Sequence, residues 1–142
     1  MEMERMHAAW NGLLIGFPVL LGHLALTTGL LIVGIGIYVK LAPFHEIARL
    51  REGNIAAAIV FSGQMLALAI PLAAMMANSV SLPEIVLWGI VTVFVQFIAI
   101  ISLHLLLPGM RGCIARGEIA PALVYACGQL VTGLLIAAAL SG

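Results

Sequence analysis

The chain has 142 residues, of which 63% are hydrophobic and only 8% charged, with a mean hydropathy of +1.21. An average soluble domain carries about 25% charged residues, so this composition belongs to an integral membrane protein. Six basic residues balance six acidic ones, which excludes nucleic-acid binding and a strongly basic membrane-surface role.

The chain opens on MEMERMH, with two glutamates and one arginine. A secretory signal wants net positive charge there, so the N-terminus is expected to be retained. From Ala8 to Tyr38 no acidic or basic residue occurs except His23. That run is too long for a single span, because a bilayer core of about 30 Å takes about 20 helical residues. Residues 18–39 are therefore expected to form the first transmembrane helix. Residues 1–17 are expected to form a tail and an interfacial segment, anchored by Trp10 and ended near Gly16 and Pro18. Three more apolar stretches of spanning length follow, 55–77, 85–104 and 119–140, each bounded by charge, proline or a polar cluster. The expected class is an all-α integral membrane protein with four transmembrane helices.

The cations set the expected orientation. Lys40, Arg49 and Arg51 lie between the first two spans, Arg111 and Arg116 between the last two, and Arg5 alone on the other side. This positive-inside pattern predicts both basic loops in the cytoplasm and both termini outside. Cys113 and Cys127 stand 14 residues apart, about 20 Å along a helix, against the roughly 6 Å between α-carbons that a disulfide tolerates. No zinc-type spacing is present, and neither metal nor cofactor is expected.

The chain resembles itself. LAPFHEIARLREGNIAAAIVFSGQMLALAIPLAA (41–74) runs parallel to LLPGMRGCIARGEIAPALVYACGQLVTGLLIAAA (106–139). Each has a helix-ending proline, a short basic loop, Gly53-Asn54 or Gly117-Glu118, an alanine-rich turn, then Gly63-Gln64 or Gly128-Gln129. Two tandem parallel two-helix repeats follow, 18–77 and 78–142, related by a pseudo-two-fold axis along the membrane normal. The small residues of the second and fourth spans place those two helices together at the centre.

The run from APFHEI through REGNIAAAIVFSG to IPLAAMMANSVSLPEIVLWGIVTVFVQ resembles the YjfL-like inner-membrane proteins, the family of domain of unknown function 350. The resemblance covers residues 40–139 and includes Gly53-Asn54, Ile70-Pro71, Ser79-Val80-Ser81, Trp88-Gly89 and Gln96. It implies four helices in two repeats in the cytoplasmic membrane, and no established activity. Some members are encoded near glutathionylspermidine-synthetase-like and phage-shock-like proteins, which implies envelope-stress or polyamine-related physiology. The chain departs from the family pattern at Ala42, where threonine is common, at Glu118, where asparagine is usual, and at Ile136, near a usual asparagine.

A polar side chain in hydrocarbon needs a partner, so intramembrane polar residues are the candidate site. Glu118, Tyr125, Gln129 and Thr132 fall within about 60° of arc on the fourth helix. Ala57, Gln64, Pro71 and Asn78 recur every seven residues on the second. The third offers Gln96, Ile100 and His104, and the first His23, Thr27 and Gly34. Two readings stand side by side. In the first, Gln64 and Gln129 satisfy each other and neighbouring helices; under either reading leucine at both is expected to destabilise the bundle. Alternatively Gln64, Gln96, Gln129, Thr132, Tyr125, His104 and His23 line a path for protons, small cations or a small polar solute. His104 either reaches the interface or acts as a titratable gate, and His23 either bonds Thr27 or a neighbouring helix or relays protons. Asn54 and Glu118 are expected as helix-start caps.

No Ser-His-Asp set, GxSxG, phosphate-binding glycine loop or carboxylate pair for acid–base work is present, so no enzymatic activity is expected. Four helices scarcely enclose a conduit, which calls for a homodimer or higher homo-oligomer in the lipid bilayer. The second functional expectation is a non-catalytic membrane partner whose loops 40–54 and 108–118 dock a cytoplasmic protein.

Overall fold

The computed structural model describes residues 1–41, 46–79 and 81–142; Ala42 and Val80, singled out above, lie outside the described residues. Among the described residues six helices occur in chain order: α1 (Glu2–Leu41), α2 (Glu46–Arg51), α3 (Ile55–Asn78), α4 (Leu82–Leu106), α5 (Met110–Ala115) and α6 (Ile119–Ser141). There is no strand among the described residues. Helices α1, α3, α4 and α6 are each long and apolar enough to cross a membrane, as composition and segment length indicate.

The first helix departs from the expected form. Instead of ending an interfacial segment near Gly16 and Pro18, it runs unbroken over 40 residues with Pro18 inside it, about 60 Å at 1.5 Å per residue. Proline removes the one backbone bond to the Leu14 carbonyl. In an apolar helix, stopping there would strand several more backbone groups. Residues Met1 to Leu21 are all exposed, so the first half of α1 leans on nothing else in the protomer.

Helix α3 is the axis of the bundle, packing against α1, α4 and α6. Its buried residues include four small ones, Ala56, Ala57, Gly63 and Ala67. A Cβ placed on Gly63 would stand 2.7 Å from Ala126 Cβ, and one on Gly133 would stand 2.6 Å from the Ala67 carbonyl oxygen. The α3 and α6 backbones therefore touch, which only small residues permit. Helix α6 keeps an exposed apolar face of Val124, Val131, Leu134 and Leu135, and α3 is the more buried of the two.

The two halves are built alike. Gly34 of α1 meets Leu68 of α3, seven residues before α1 ends but thirteen after α3 begins. Gly128 of α6 meets Leu103 of α4, three before α4 ends and nine after α6 begins. In both halves the first helix stops six residues, about 9 Å, short of the level where the second starts. A six-residue helix, α2 or α5, occupies each gap, where the sequence reads only as basic loop. Gly53 (φ 80°) and Gly117 (φ 86°) end these short helices in the left-handed region, which an L side chain enters only with strain.

Apolar packing divides into two clusters. Toward the end bearing α2 and α5, called here the basic end, Ala56, Val60, Ile114, Ala122 and Tyr125 pack together. Toward the opposite end, Leu68, Leu72, Met75, Ile85 and Val93 do so. Gln64 lies between them on α3, one turn from Val60 and one from Leu68.

Candidate functional site

Helix levels bring the polar residues together. Gly34 also meets Val93 of α4, so Gly34, Leu68 and Val93 share one level. About one turn nearer the basic end, α1 carries Tyr38, α3 carries Gln64 and α4 carries Gln96. The Ala67–Gly133 contact sets the register of α6, and one turn nearer the basic end from it stands Gln129. All four long helices thus contribute a polar side chain to one layer.

Most of the amide atoms in the layer have no protein partner. Gln64, Gln96 and Gln129 are 0–1% exposed. Gln96 Nε2 donates to Thr132 Oγ1 at 3.4 Å, and Thr132 Oγ1 donates to the Gln129 carbonyl at 2.7 Å. Five amide atoms have no partner: both of Gln64, both of Gln129, and Gln96 Oε1. The expectation that Gln64 and Gln129 satisfy each other is not met, since neither side-chain amide has a hydrogen-bond partner. Each unpartnered buried amide group costs about 1–3 kcal/mol, and buried polar groups of this kind are rare unless something occupies the site.

One charged residue reaches the layer, and the sequence did not single it out. Glu46, the first residue of α2, is 4% exposed, and Tyr38 donates to its Oε1 at 2.7 Å. Its Oε2 has no partner. The Tyr38 hydroxyl also lies beside the Gln129 amide, outside hydrogen-bond geometry. Burial pushes the Glu46 carboxyl above the ordinary carboxylate range, opposed by the Tyr38 hydrogen bond. Because α1 stops short, α2 starts deep, and that geometry carries Glu46 inward.

A family model described as Domain of Unknown Function (DUF350) matches residues 12–140. The chain belongs to the DUF350 family. Its relatives include the UPF0719 inner membrane protein YjfL of Escherichia coli K12 and that of Escherichia coli O157:H7. Each is 28% identical over 112 residues, covering 79% of this chain and 85% of the relative. No solved structure matches. With four helices of spanning length, this is a membrane protein of an uncharacterised family, and neither printed name carries an activity.

The other candidate residues of this DUF350 chain lie outside the layer. His104 and Tyr125 bond each other side chain to side chain, ring edge to ring face with centroids 5.1 Å apart. His104 thus has a partner on α6 at the basic end. His23 Nδ1 bonds the Val19 carbonyl at 2.8 Å, and Thr27 donates to the His23 carbonyl at 2.8 Å, so both turn back on α1. Asn54 Oδ1 accepts from the Ala57 N–H at 3.0 Å, and its Nδ2 faces the Ile114 and Ala115 carbonyls at 3.4 Å.

Glu118 does not cap α6. It occupies the N-cap position without a side-chain cap bond and instead accepts from Arg116 Nη2 at 2.7 Å and Nε at 2.9 Å. A charge-assisted pair with a guanidinium two residues away outcompetes neutral backbone amides. The pair holds the Glu118 carboxyl below its usual range. Among the described residues no group of three His, Cys, Asp or Glu side chains is placed to hold a metal ion.

Proposed function

We propose that this protein is a gated, oligomeric, non-catalytic conduit for protons, small cations or a small polar solute, with the glutamine layer as its internal site. One observation carries the reading: three fully buried glutamines on three helices present five unpartnered amide atoms between two apolar clusters. An intramembrane amide with no protein partner is costly, and a transient hydrated ligand offsets that cost. The clusters seal the layer on both sides within one protomer. On the side away from the basic end a cleft of about 300 Å³, lined by Asn78, Ser79, Glu84 and Trp88, ends on Met75, itself a member of the sealing cluster.

Oligomer formation completes the reading. An open groove of about 400 Å³ runs along α3 and α6 past Ala58, Ser62, Gly63, Ala126 and Cys127. Its small residues suit close approach of a second copy around a two-fold axis. The five cations at the basic end support placing that end in the cytoplasm and the termini outside, in the inner membrane that the relatives' name specifies. The shared construction of the halves supports the tandem repeat.

The test is flux of protons and potassium across liposomes holding the purified protein, compared with Gln129→Leu after intact assembly is confirmed. A protein-dependent flux altered by the substitution supports the conduit. Silence across pH and voltage overturns it and leaves the docking reading, in which loops 40–54 and 108–118 crosslink to a cytoplasmic protein.

A further inference from the structure

Glu46 has a counterpart that shows what the fold itself requires. Helix α5 fills the same gap in the second half that α2 fills in the first, and its first residue is Met110 where α2 begins with Glu46. Met110 packs on the apolar cluster of the basic end together with Leu103, the residue that meets Gly128 one position before Gln129. At the corresponding level of the first half stand Tyr38 and Glu46, joined by a 2.7 Å hydrogen bond. An apolar pair serves the packing in one half, and a tyrosine–carboxyl pair sits at the matching place in the other. Packing therefore does not call for the carboxyl.

We infer that Glu46, positioned by Tyr38, is a proton-binding site of the glutamine layer, taking up a proton at Oε2 from solution and returning it there. The inference rests on the conduit reading and narrows its cargo to the proton. The geometry favours a proton over a metal cation. Glu46 is 96% buried by its 4% exposure, one oxygen is engaged by a single hydroxyl, and the other has no partner. Among the described residues Glu46 is the single carboxylate of the layer, where a metal site draws on several anionic ligands, and one proton neutralises it and converts Oε2 from an orphan acceptor into a donor. The layer holds unpartnered acceptors for such a donor, Oε1 of Gln64, Gln96 and Gln129, beside the unpartnered Nε2 donors of Gln64 and Gln129.

Among the described residues, the charged side chains near Glu46 are exposed or bonded to other groups. Helix α3, which packs on α2, has no titratable side chain at all. From α1, Tyr38 faces Glu46 and Lys40 is exposed. On α2 itself Arg51 is exposed, and Arg49 Nη1 donates to the Ala115 carbonyl at 2.7 Å. On the α4–α6 side His104 and Tyr125 bond each other, and Arg116 is paired with Glu118. His45, the sequence neighbour, lies outside the described residues. Burial acts on Glu46 in the direction that favours the protonated form.

Infrared difference spectroscopy of the full chain in lipid vesicles, titrated with pH in H₂O and D₂O, tests this directly. All six acidic residues are glutamates, so few carboxyls compete. A protonated-carboxyl band is expected to persist above the ordinary glutamate range, to disappear in Glu46→Gln and to remain in Glu118→Gln. Tyr38→Phe, which deletes one hydroxyl and keeps the ring, is expected to shift the band and move its titration to higher pH. Absence of the band, or a band indifferent to both Glu46→Gln and Tyr38→Phe, overturns the inference. The outcome separates from the conduit reading: a Glu46 band without flux keeps the proton site and removes the conduit, and flux without the band does the reverse.

Discussion

A Cβ on Gly133 would stand 2.6 Å from the carbonyl oxygen and 2.9 Å from the Cα of Ala67. The obstacle is backbone, which no rotamer change moves, so the α3–α6 contact depends on the absence of that one carbon. Gly133→Ala is expected to destabilise the bundle by about 1–3 kcal/mol through overpacking, and Gly133→Leu to prevent the contact. Gly29→Ala and Gly36→Ala, where nothing lies within 4 Å, are expected to be neutral or slightly stabilising as better helix formers. Thermal unfolding in detergent, followed by circular dichroism, ranks the four variants; equal effects at Gly133 and Gly36 would refute the packing account.

Gln64 gives the opposite sign from its usual role as interhelical glue. Both of its amide atoms are buried without a partner, so a leucine of similar volume removes a desolvation cost and deletes no protein hydrogen bond. Gln64→Leu is therefore expected to raise detergent stability by about 1–2 kcal/mol while lowering flux in liposomes. Stability gained as function is lost is the pattern of a binding site. A clear loss of stability in Gln64→Leu would show that the amide has partners after all.

The two helix starts are expected to respond differently. Asn54 caps α3 through Ala57 N–H at 3.0 Å and bridges to the α5 end, so Asn54→Ala should cost about 0.5–2 kcal/mol. Glu118 makes only an exposed pair with Arg116, and surface pairs contribute about 0–1 kcal/mol, so Glu118→Ala should change unfolding little. Chemical denaturation of the two variants checks the order, and a larger loss for Glu118→Ala would contradict it.

What could be read without coordinates depended on what each signal measures. Hydropathy reports burial in lipid, and it placed α3, α4 and α6 to within three residues of their ends. It cannot report whether a helix continues through proline, which is why α1 was cut at Gly16–Pro18. Seven-residue spacing put Gln64 on the buried face of α3, because helical periodicity is local. Partners are not local: equivalent positions suggest a Gln64–Gln129 pairing, yet both amides are left without a partner, because the repeat fixes position along each helix and not the direction of a side chain. Glu46 reads in the sequence as one carboxylate of a solvated, mixed-charge loop with Glu52, Arg49 and Arg51, and nothing local to that loop shows that α2 starts deep.

Glu46 gives the fold a pH dependence of definite sign. Its carboxyl is raised in the folded protein, so the native state binds the proton more tightly than the unfolded chain does. The stabilisation is complete below the ordinary glutamate value near 4.5 and is lost as pH rises through the folded value. Across that window unfolding free energy should fall by about 1.4 kcal/mol per pH unit for this single group. Glu46→Gln should flatten this component and be more stable than the natural chain above the window. Glu118 is held below its usual range, which has the opposite sign, but its exposed pair is screened, so Glu118→Gln should keep the natural slope. Melting temperatures from pH 4 to 9 decide the matter (roughly 2–8 °C per kcal/mol by domain size). A slope unchanged in Glu46→Gln would mean that this carboxyl stays ionised in the fold, which a group so buried and so sparsely bonded should not do.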